Sequence, residues 1–249
     1  MRAILTYHSI DNSGSPVSVT PAAFRQHVEW LASGSTRVLP LGDIVHGSQS
    51  GNAVALTFDD GFENFSTEAW PLLRAHRFPA TLFVVTGQVG RTNAWQGREE
   101  PGIPTLPLLG WAALERLAGD ALEIGGHTRT HQSLSNLDVS EATDEVEGCR
   151  HDLRTRLGVP CDSFAYPYGD APPNARRRVR EAFASGCTTT HRALAASDAP
   201  EALPRLDMYY FQGKGALDNW GGWSFRARVA GRRALRGVRS VLRGAGGRP

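Results

Sequence analysis

The chain has 249 residues, 41% hydrophobic and 21% charged, which is enough to bury a real core as one large domain or two small ones and excludes a disordered protein. Its formal charge of +2 conceals an asymmetry: Phe225 to Pro249 holds eight arginines and no acid, so the preceding 224 residues sum to −6. No run approaches 18 apolar residues and MRAILTYHSI is too short and polar for a signal peptide, so the expectation is no transmembrane segment and a cytoplasmic protein.

Residues 2–7 (RAILTY) predict a first strand, and 11–20, rich in Ser, Gly and Pro, a loop. Thr20 before Pro21 signals a helix start, continued by Phe24, Val28 and Leu31. Strands are predicted at 36–41 and 52–58, then a helix on Phe62, Phe65, Ala69 and Leu72–Leu73 despite Pro71, then a strand at 79–85. Residues 86–110 are dense in Gly and Pro and predict a long loop, a length that is often functional. Trp111, Leu114 and Leu117 mark a short helix and 121–126 a short strand. Asp138 and Glu141 form a capping box before a helix whose apolar face runs from Val139 to Leu157. A strand at 161–169 ending in a turn, a helix at 174–186 with a glycine stop, and strands at 187–190 and 202–210 complete the body. Cys149, Cys161 and Cys187, odd in number and widely spaced, predict packed thiols rather than a disulfide framework or a zinc knuckle.

The alternation of strand and helix, without a dinucleotide fingerprint or internal repeat, predicts an α/β barrel with a largely parallel sheet, whose chemistry gathers at the C-terminal strand ends. His8, Asp59 and Asp60, His127 and His131, and Tyr166-Pro167-Tyr168 all follow predicted strands and should share one rim. In HTRTH, His127 and His131 stand four apart. On a helical turn both imidazoles would face one side and share a metal ion with a carboxylate; the alternative is two histidines hydrogen-bonding around a loop. Asp-Asp-Gly after a strand reads as an Asx turn, but two adjacent carboxylates at the edge of a core repel. A metal ion taken by Asp60 removes that difficulty. Asp59 is then free to take a proton from an attacking water, and His8 to protonate a leaving group.

LTFDDG (56–61), HTRTH (127–131) and FAYPYG (164–169), in that order, resemble the motifs of the polysaccharide deacetylase family, the NodB-like carbohydrate esterases, and LTYHSI (5–10) resembles the N-terminal signature of one branch. The resemblance covers about residues 1–208, leaving 209–249 as an aromatic, Gly-rich segment and an Arg-rich extension. It implies a distorted (β/α)7 barrel that removes an N-acetyl group from an amino sugar or glycoconjugate. It also implies Asp59 as general base, Asp60, His127 and His131 as ligands of a divalent metal (zinc, with cobalt, nickel or manganese as alternatives), and Tyr168 offering its backbone N–H to the oxyanion. Two places depart from the family pattern. Ala165 stands where many members have an arginine, so Arg205 is expected to reach Asp59 instead; and the usual late general-acid motif is missing, so His8 is preferred to His191 for that role.

Trp95 in the long loop is expected either to stack on a sugar or to pack the loop; Phe62 and Trp111 are expected in the core, and Asn64 and Asn93 have no evident role. Phe225, Val229, Leu235, Val238, Val241 and Leu242 among arginines sketch an amphipathic tail helix that could touch anionic lipid or a glycosyltransferase, with a solvated extension as the plainer reading; no nucleic-acid module accompanies it. The rival functions are hydrolysis of another C–N bond, of cyclic amide or ureide type, on the same scaffold, and a decayed sugar-binding protein.

Overall fold

Six consecutive residues of the first strand, β1 (Arg2–Tyr7), pair in parallel with β5 (Ala53–Phe58), from Arg2 opposite Ala53 to Tyr7 opposite Phe58. All of β5 is buried, as expected of a parallel strand covered on both faces. The computed structural model describes residues 1–47, 51–119 and 121–245, with side chains to 235. Between β1 and β5 come β2 (Ser9–Ile10), β3 (Ser18–Val19), α1 (Pro21–Ala32), β4 (Arg37–Val38) and α2 (Leu41–His46). After β5 follow α3 (Trp70–Ala75), β6 (Ala80–Val84), α4 (Trp111–Leu117), β7 (Leu122–Gly126), α5 (Val139–Leu157), β8 (Ser163–Ala165), α6 (Pro173–Ala182), β9 (Ser185–Cys187), β10 (Leu206–Asp207) and α7 (Trp223–Ala245).

The main sheet is parallel, in the order β10-β1-β5-β6-β7-β8-β9, with β4 on the early part of β5 and β6 on its end. The segment before β10 closes the ring: Leu203 N donates to Gly186 O (2.7 Å), Thr188 N to Leu203 O (2.8 Å) and Arg205 N to Thr190 O (3.0 Å), while β10 pairs with β1. The result is an eight-stranded sheet whose seven-strand path, with β4 lying off it, fits the distorted (β/α)7 barrel that the resemblance implies.

Alternation along the strands sorts the side chains into two cores. Leu5, Tyr7, Leu56, Phe58, Leu82 and Val84 join the helices in the outer core, where Tyr7 stacks on Phe58 at 5.0 Å and meets Phe24 edge-on at 5.2 Å. Ile4, Ala53, Ala55, Phe83, Ala165, Cys187 and Leu203 form the inner cluster. The core continues past Met208 through Phe211, Leu217, Phe225 and Val229. The three cysteines are free and buried; burial pushes the thiols of Cys161 and Cys187 up to about 12 and that of Cys149 well above its ordinary range, so none is a ready nucleophile.

Several element boundaries differ from expectation. The strand at 36–41 shrinks to β4, and Leu41 opens a helix, because Leu39 N still pairs with Val54 O (2.9 Å) while Pro40 turns the chain. The helix through Pro71 is a π-helical turn (Phe65–Ala69) followed by α3, so the proline falls in a first helical turn where its missing N–H is not needed. The strand at 161–169 is only β8, and that at 202–210 only β10; Asp207 caps Tyr209 N (3.1 Å) and turns the chain there. Gly186 is not a helix stop. α6 ends at Ala182 and Gly186 lies inside β9, replacing the predicted 187–190 strand, where an added Cβ would meet Glu201 O at 2.7 Å and Val179 Cγ1 at 2.8 Å.

Gly186→Ala is therefore expected to destabilise the fold by about 1–3 kcal/mol in urea unfolding, since a backbone carbonyl cannot yield cheaply. Gly42→Ala, in α2 with nothing within 4 Å of its added Cβ, should instead be neutral or stabilising by roughly 0.5–1 kcal/mol.

Candidate metal and hydrolytic site

The inward positions of three strands run straight into the site. Ala53, Ala55 and Thr57 lead to Asp59, Ile4 and Thr6 to His8, and Glu123 and Gly125 to His127. Asp60 would face away on a continuing strand. Its backbone turns to φ 73°, followed by Gly61 at 78°, and both carboxylates line one pocket of about 120 Å³ with His8, His127, His131 and Tyr168. Thr128 (φ 65°), His131 (61°) and Tyr168 (59°) are also left-handed, so half of the eight non-glycine residues with positive φ among the described residues belong to this site or its turns. Each such residue costs of order 1 kcal/mol and persists only where its surroundings hold it.

HTRTH is a loop turn and not the helical turn that the i,i+4 spacing suggested, yet it does converge the two imidazoles. Their rings are 5.0 Å apart, and Asp60 Oδ1 lies 3.4 Å from His127 Nε2 and 3.3 Å from His131 Nε2. Thr128 holds the turn, its hydroxyl accepting from His131 N (3.0 Å). Glu145, buried on α5, accepts from Arg129 N (2.8 Å), Thr130 N (2.9 Å) and Thr130 Oγ1 (2.6 Å), and Asp152, two turns later, grips the Arg129 guanidinium (2.9 and 3.0 Å). Sequence reading missed both acids. Each directly precedes a residue of the apolar face of α5, and that adjacency is the only signal they carry.

The donor set fits a metal ion. One ligand atom each from Asp60, His127 and His131, all buried, lie within 4.8 Å of one another. Asp60 Oδ1 is buried without a hydrogen-bond partner, an expensive arrangement unless a cation completes it. His127 Nδ1 donates to Ala165 O (2.7 Å), which fixes the tautomer and leaves the Nε2 lone pair facing the cluster. Burial would raise the Asp60 carboxyl, but the two histidines override it and hold it well below the usual range. Burial opposes charge on His127, yet Asp60 and Asp59 beside it leave its imidazole raised, whereas burial dominates at His131 and lowers it.

Asp59 is differently placed. Arg205, fully buried, grips both of its oxygens, Nη1 to Oδ1 at 2.7 Å and Nη2 to Oδ2 at 2.6 Å. Burial alone would raise this carboxyl; the guanidinium wins and holds it below its ordinary value. Ala165 cannot reach it; Arg205 comes instead from the segment that pairs with β9, the strand beside that of Ala165, and its guanidinium lies over the Phe83 ring (5.8 Å). His8 Nε2 lies 3.7 Å from Asp59 Oδ2, with the His8 side chain 23% exposed toward the pocket mouth. The segment after His8 is pinned by Asn64, whose Oδ1 accepts from Ile10 N (3.2 Å) and whose Nδ2 donates to Ser9 Oγ (2.6 Å).

Other expected residues find their places. His191 is buried elsewhere, beside Tyr210 and Phe211, and accepts from Asp207 N. Trp95 stacks on His131 at 4.2 Å and is 9% exposed, the packing alternative. Asn93 accepts from Leu106 N (2.7 Å) and donates to Pro104 O (3.1 Å), closing the long loop on itself. Phe62 is in the core, while Trp111 is only partly buried against it. Tyr166 is among the residues that line the pocket, and its hydroxyl is spent on Glu201 O (2.8 Å).

A family model described as polysaccharide deacetylase matches residues 46–184, more than half of the chain. The poly-beta-1,6-N-acetyl-D-glucosamine N-deacetylase of Staphylococcus aureus (strain MRSA252) is 27% identical over 165 residues, covering 61% of this chain and 54% of that protein. The protein of the same name from Staphylococcus epidermidis is 26% identical over 165 residues, with the same two shares. The chain thus spans about half the length of the curated relatives it matches. IcaB from Ammonifex degensii superposes with a TM-score of 0.70 at 24% identity, covering 84% of this chain and 94% of that one; Streptococcus pyogenes deacetylase PplD gives 0.69 at 21%, covering 82% and 91%. At these identities the structures speak for the fold.

If α5 supports the histidine turn as the bonds indicate, Glu145→Gln, which leaves a single acceptor oxygen for three donors, should weaken divalent-metal affinity about 10–100-fold in a chelator competition while the melting temperature stays close to wild type. Wild-type affinity would show that the turn is held by Thr128 and Asp152 alone.

Proposed function

Because the chain belongs to the polysaccharide deacetylase family, we propose that it hydrolyses the N-acetyl group of an amino sugar within a glycan or glycoconjugate, using a divalent transition metal held by Asp60, His127 and His131. The observation that carries this reading is the meeting, on one barrel rim, of that three-donor cluster with an ion-paired carboxylate and a partly exposed histidine. Two imidazoles and a carboxylate suit zinc, our first choice over cobalt, nickel or manganese. Bound there, the ion supplies a Lewis acid and lowers the pKa of a water molecule.

The chain's own residues supply the rest. Asp59, held ionised and oriented by Arg205, takes a proton from the attacking water. His8, at the mouth, gives a proton to the departing sugar amine. We assign the backbone N–H of Tyr168 to the developing oxyanion, where one such donor is worth roughly 2–4 kcal/mol. The pocket of about 120 Å³ takes the acetyl group, and an adjoining groove of about 340 Å³, which shares Trp95, His131 and Tyr168 with it, takes the sugar. The names of the Staphylococcus relatives favour a β-linked N-acetylglucosamine polymer as the first substrate to try. The decayed-site reading is not favoured because each residue named for the hydrolysis is present, and the cyclic-amide reading is not favoured because the matching family model and curated relatives are deacetylases.

Purified protein should carry a transition metal by elemental mass spectrometry, and Asp60→Ala should lose it together with acetate release from N-acetylglucosamine oligomers. Absence of metal after reconstitution with zinc, cobalt, nickel or manganese would remove the mechanism. His8→Ala should cut turnover by about 10²–10⁴-fold with metal content intact; loss of the ion instead would make His8 a ligand or a prop. Arg205 holds the Asp59 carboxyl down, so in Arg205→Ala that carboxyl rises and the acidic limb of the pH–rate profile moves to higher pH. An unmoved limb would mean that Asp59 is not the base.

A further inference from the structure

At the N-terminal ends of the barrel strands, opposite the catalytic rim, α7 and residues 191–195 enclose a groove of about 610 Å³. Leu194 N donates to Arg2 O (3.0 Å), which places that loop beside the start of β1, while His8 follows its other end. The six residues of β1 thus separate groove and site by roughly 20 Å at 3.3 Å per residue.

The face of α7 toward the groove shares only Val229 with the apolar face that the sequence suggested for lipid. Phe225 and Val229 are spent on the core, where Phe225 packs on Phe211 (5.6 Å) and Trp220 (4.7 Å); Leu235 is exposed, and Val238, Val241 and Leu242 lie outside the residues whose side chains are described. A different stripe faces outward. Trp223, Arg226, Ala230, Arg233 and Ala234 follow the spacing i, i+3, i+7, i+10, i+11 and share one side of the helix. All but Trp223 line the groove with Leu194, and Trp223, 82% exposed, extends the stripe one turn beyond it. No Asp or Glu is among the described residues that line it, and none of them forms an ion pair with Arg226 or Arg233; the third lining arginine, Arg192, is held by Asp198.

We propose that this stripe and groove form a peripheral docking surface for an anionic phospholipid bilayer. Two uncompensated guanidiniums attract the headgroup phosphates, the apolar floor of Leu194, Ala230 and Ala234 meets the acyl boundary, and Trp223 sits at the depth where indole rings prefer to lie. An apolar floor between the arginines and an exposed tryptophan favour a bilayer over a nucleic acid, which would ask for polar partners along its backbone. The catalytic mouth, at the other end of the barrel, stays open to a polymer. This inference stands independently of the proposed reaction.

The test is flotation of the full chain with phosphatidylcholine vesicles, with and without phosphatidylglycerol. Wild type should float only with the anionic vesicles and release at high salt. The exposed-residue variant Arg226→Ala/Arg233→Ala should bind about fivefold more weakly per arginine, about 25-fold in all. Trp223→Ala should weaken binding as well. Circular dichroism and, if the reaction is as proposed, acetate release from a soluble oligomer should be unchanged in both variants. Failure of wild type to float with anionic vesicles, or wild-type binding by the double variant, overturns the proposal. So does binding to a DNA oligonucleotide that is as strong as binding to vesicles and indifferent to Trp223→Ala, which would make the surface a general polyanion site.

Discussion

A carboxylate with almost no access to water is tenable only if something replaces its hydration, and at Asp59 that replacement is Arg205. Both oxygens are gripped by one guanidinium that is itself fully buried, so the desolvation penalties of the two ions, several kcal/mol each, are offset by a bidentate, charge-assisted attraction. The inner barrel is shaped for this pair. Arg205 also donates to Thr188 O (3.0 Å) and Thr57 Oγ1 (3.3 Å), and its guanidinium lies over Phe83. The small inward residues Ala55 and Ala165 leave room in the interior for this long side chain.

The second constraint is backbone strain. Strand alternation can aim only one of two neighbouring residues at the barrel axis, so a site that needs both Asp59 and Asp60 must break the strand between them. The left-handed residue at 60 does this, and similar turns at 128, 131 and 168 bring the opposite wall inward. What holds them is ordinary: the Thr128 hydroxyl, the Glu145 carboxylate, and Asp170, which accepts from Ser133 Oγ and from Ser135 N (2.8 Å) and thereby ties the loop after His131 to the turn after Tyr168.

Much of this was legible in the sequence. The apolar runs at 2–7 and 52–58 placed His8 and Asp59 at strand ends because period-2 burial leaves a short run few other roles, and the i,i+4 histidines were correctly paired although their turn is not helical. Arg205 was found because the family resemblance marked Ala165 as the place of an absent arginine. Hidden from sequence was everything set by close approach in space. Gly186 looked like a helix stop because only the carbonyl of Glu201, packed against it, shows why it has no side chain. Glu145 drew no notice, since nothing in α5 reveals that a turn from another loop docks its N–H groups there. Phe225 looked available because the aromatic pocket that receives it is assembled from Phe211 and Trp220.

Closure of the ring by residues 203–207 also sets an order of events during synthesis. Asp59 and Arg205 are 146 residues apart, and the segment that supplies the guanidinium is the last to join the barrel, between β9 and β1. A chain emerging N-terminus first has Asp60, His127 and His131 long before it has Arg205. Until the last strand docks, the Asp59 carboxylate lacks its guanidinium partner, and burying it costs more. Burial of the base thus waits on completion of the fold, a long-range contact that adds loop-closure entropy to the folding barrier and slows the final step.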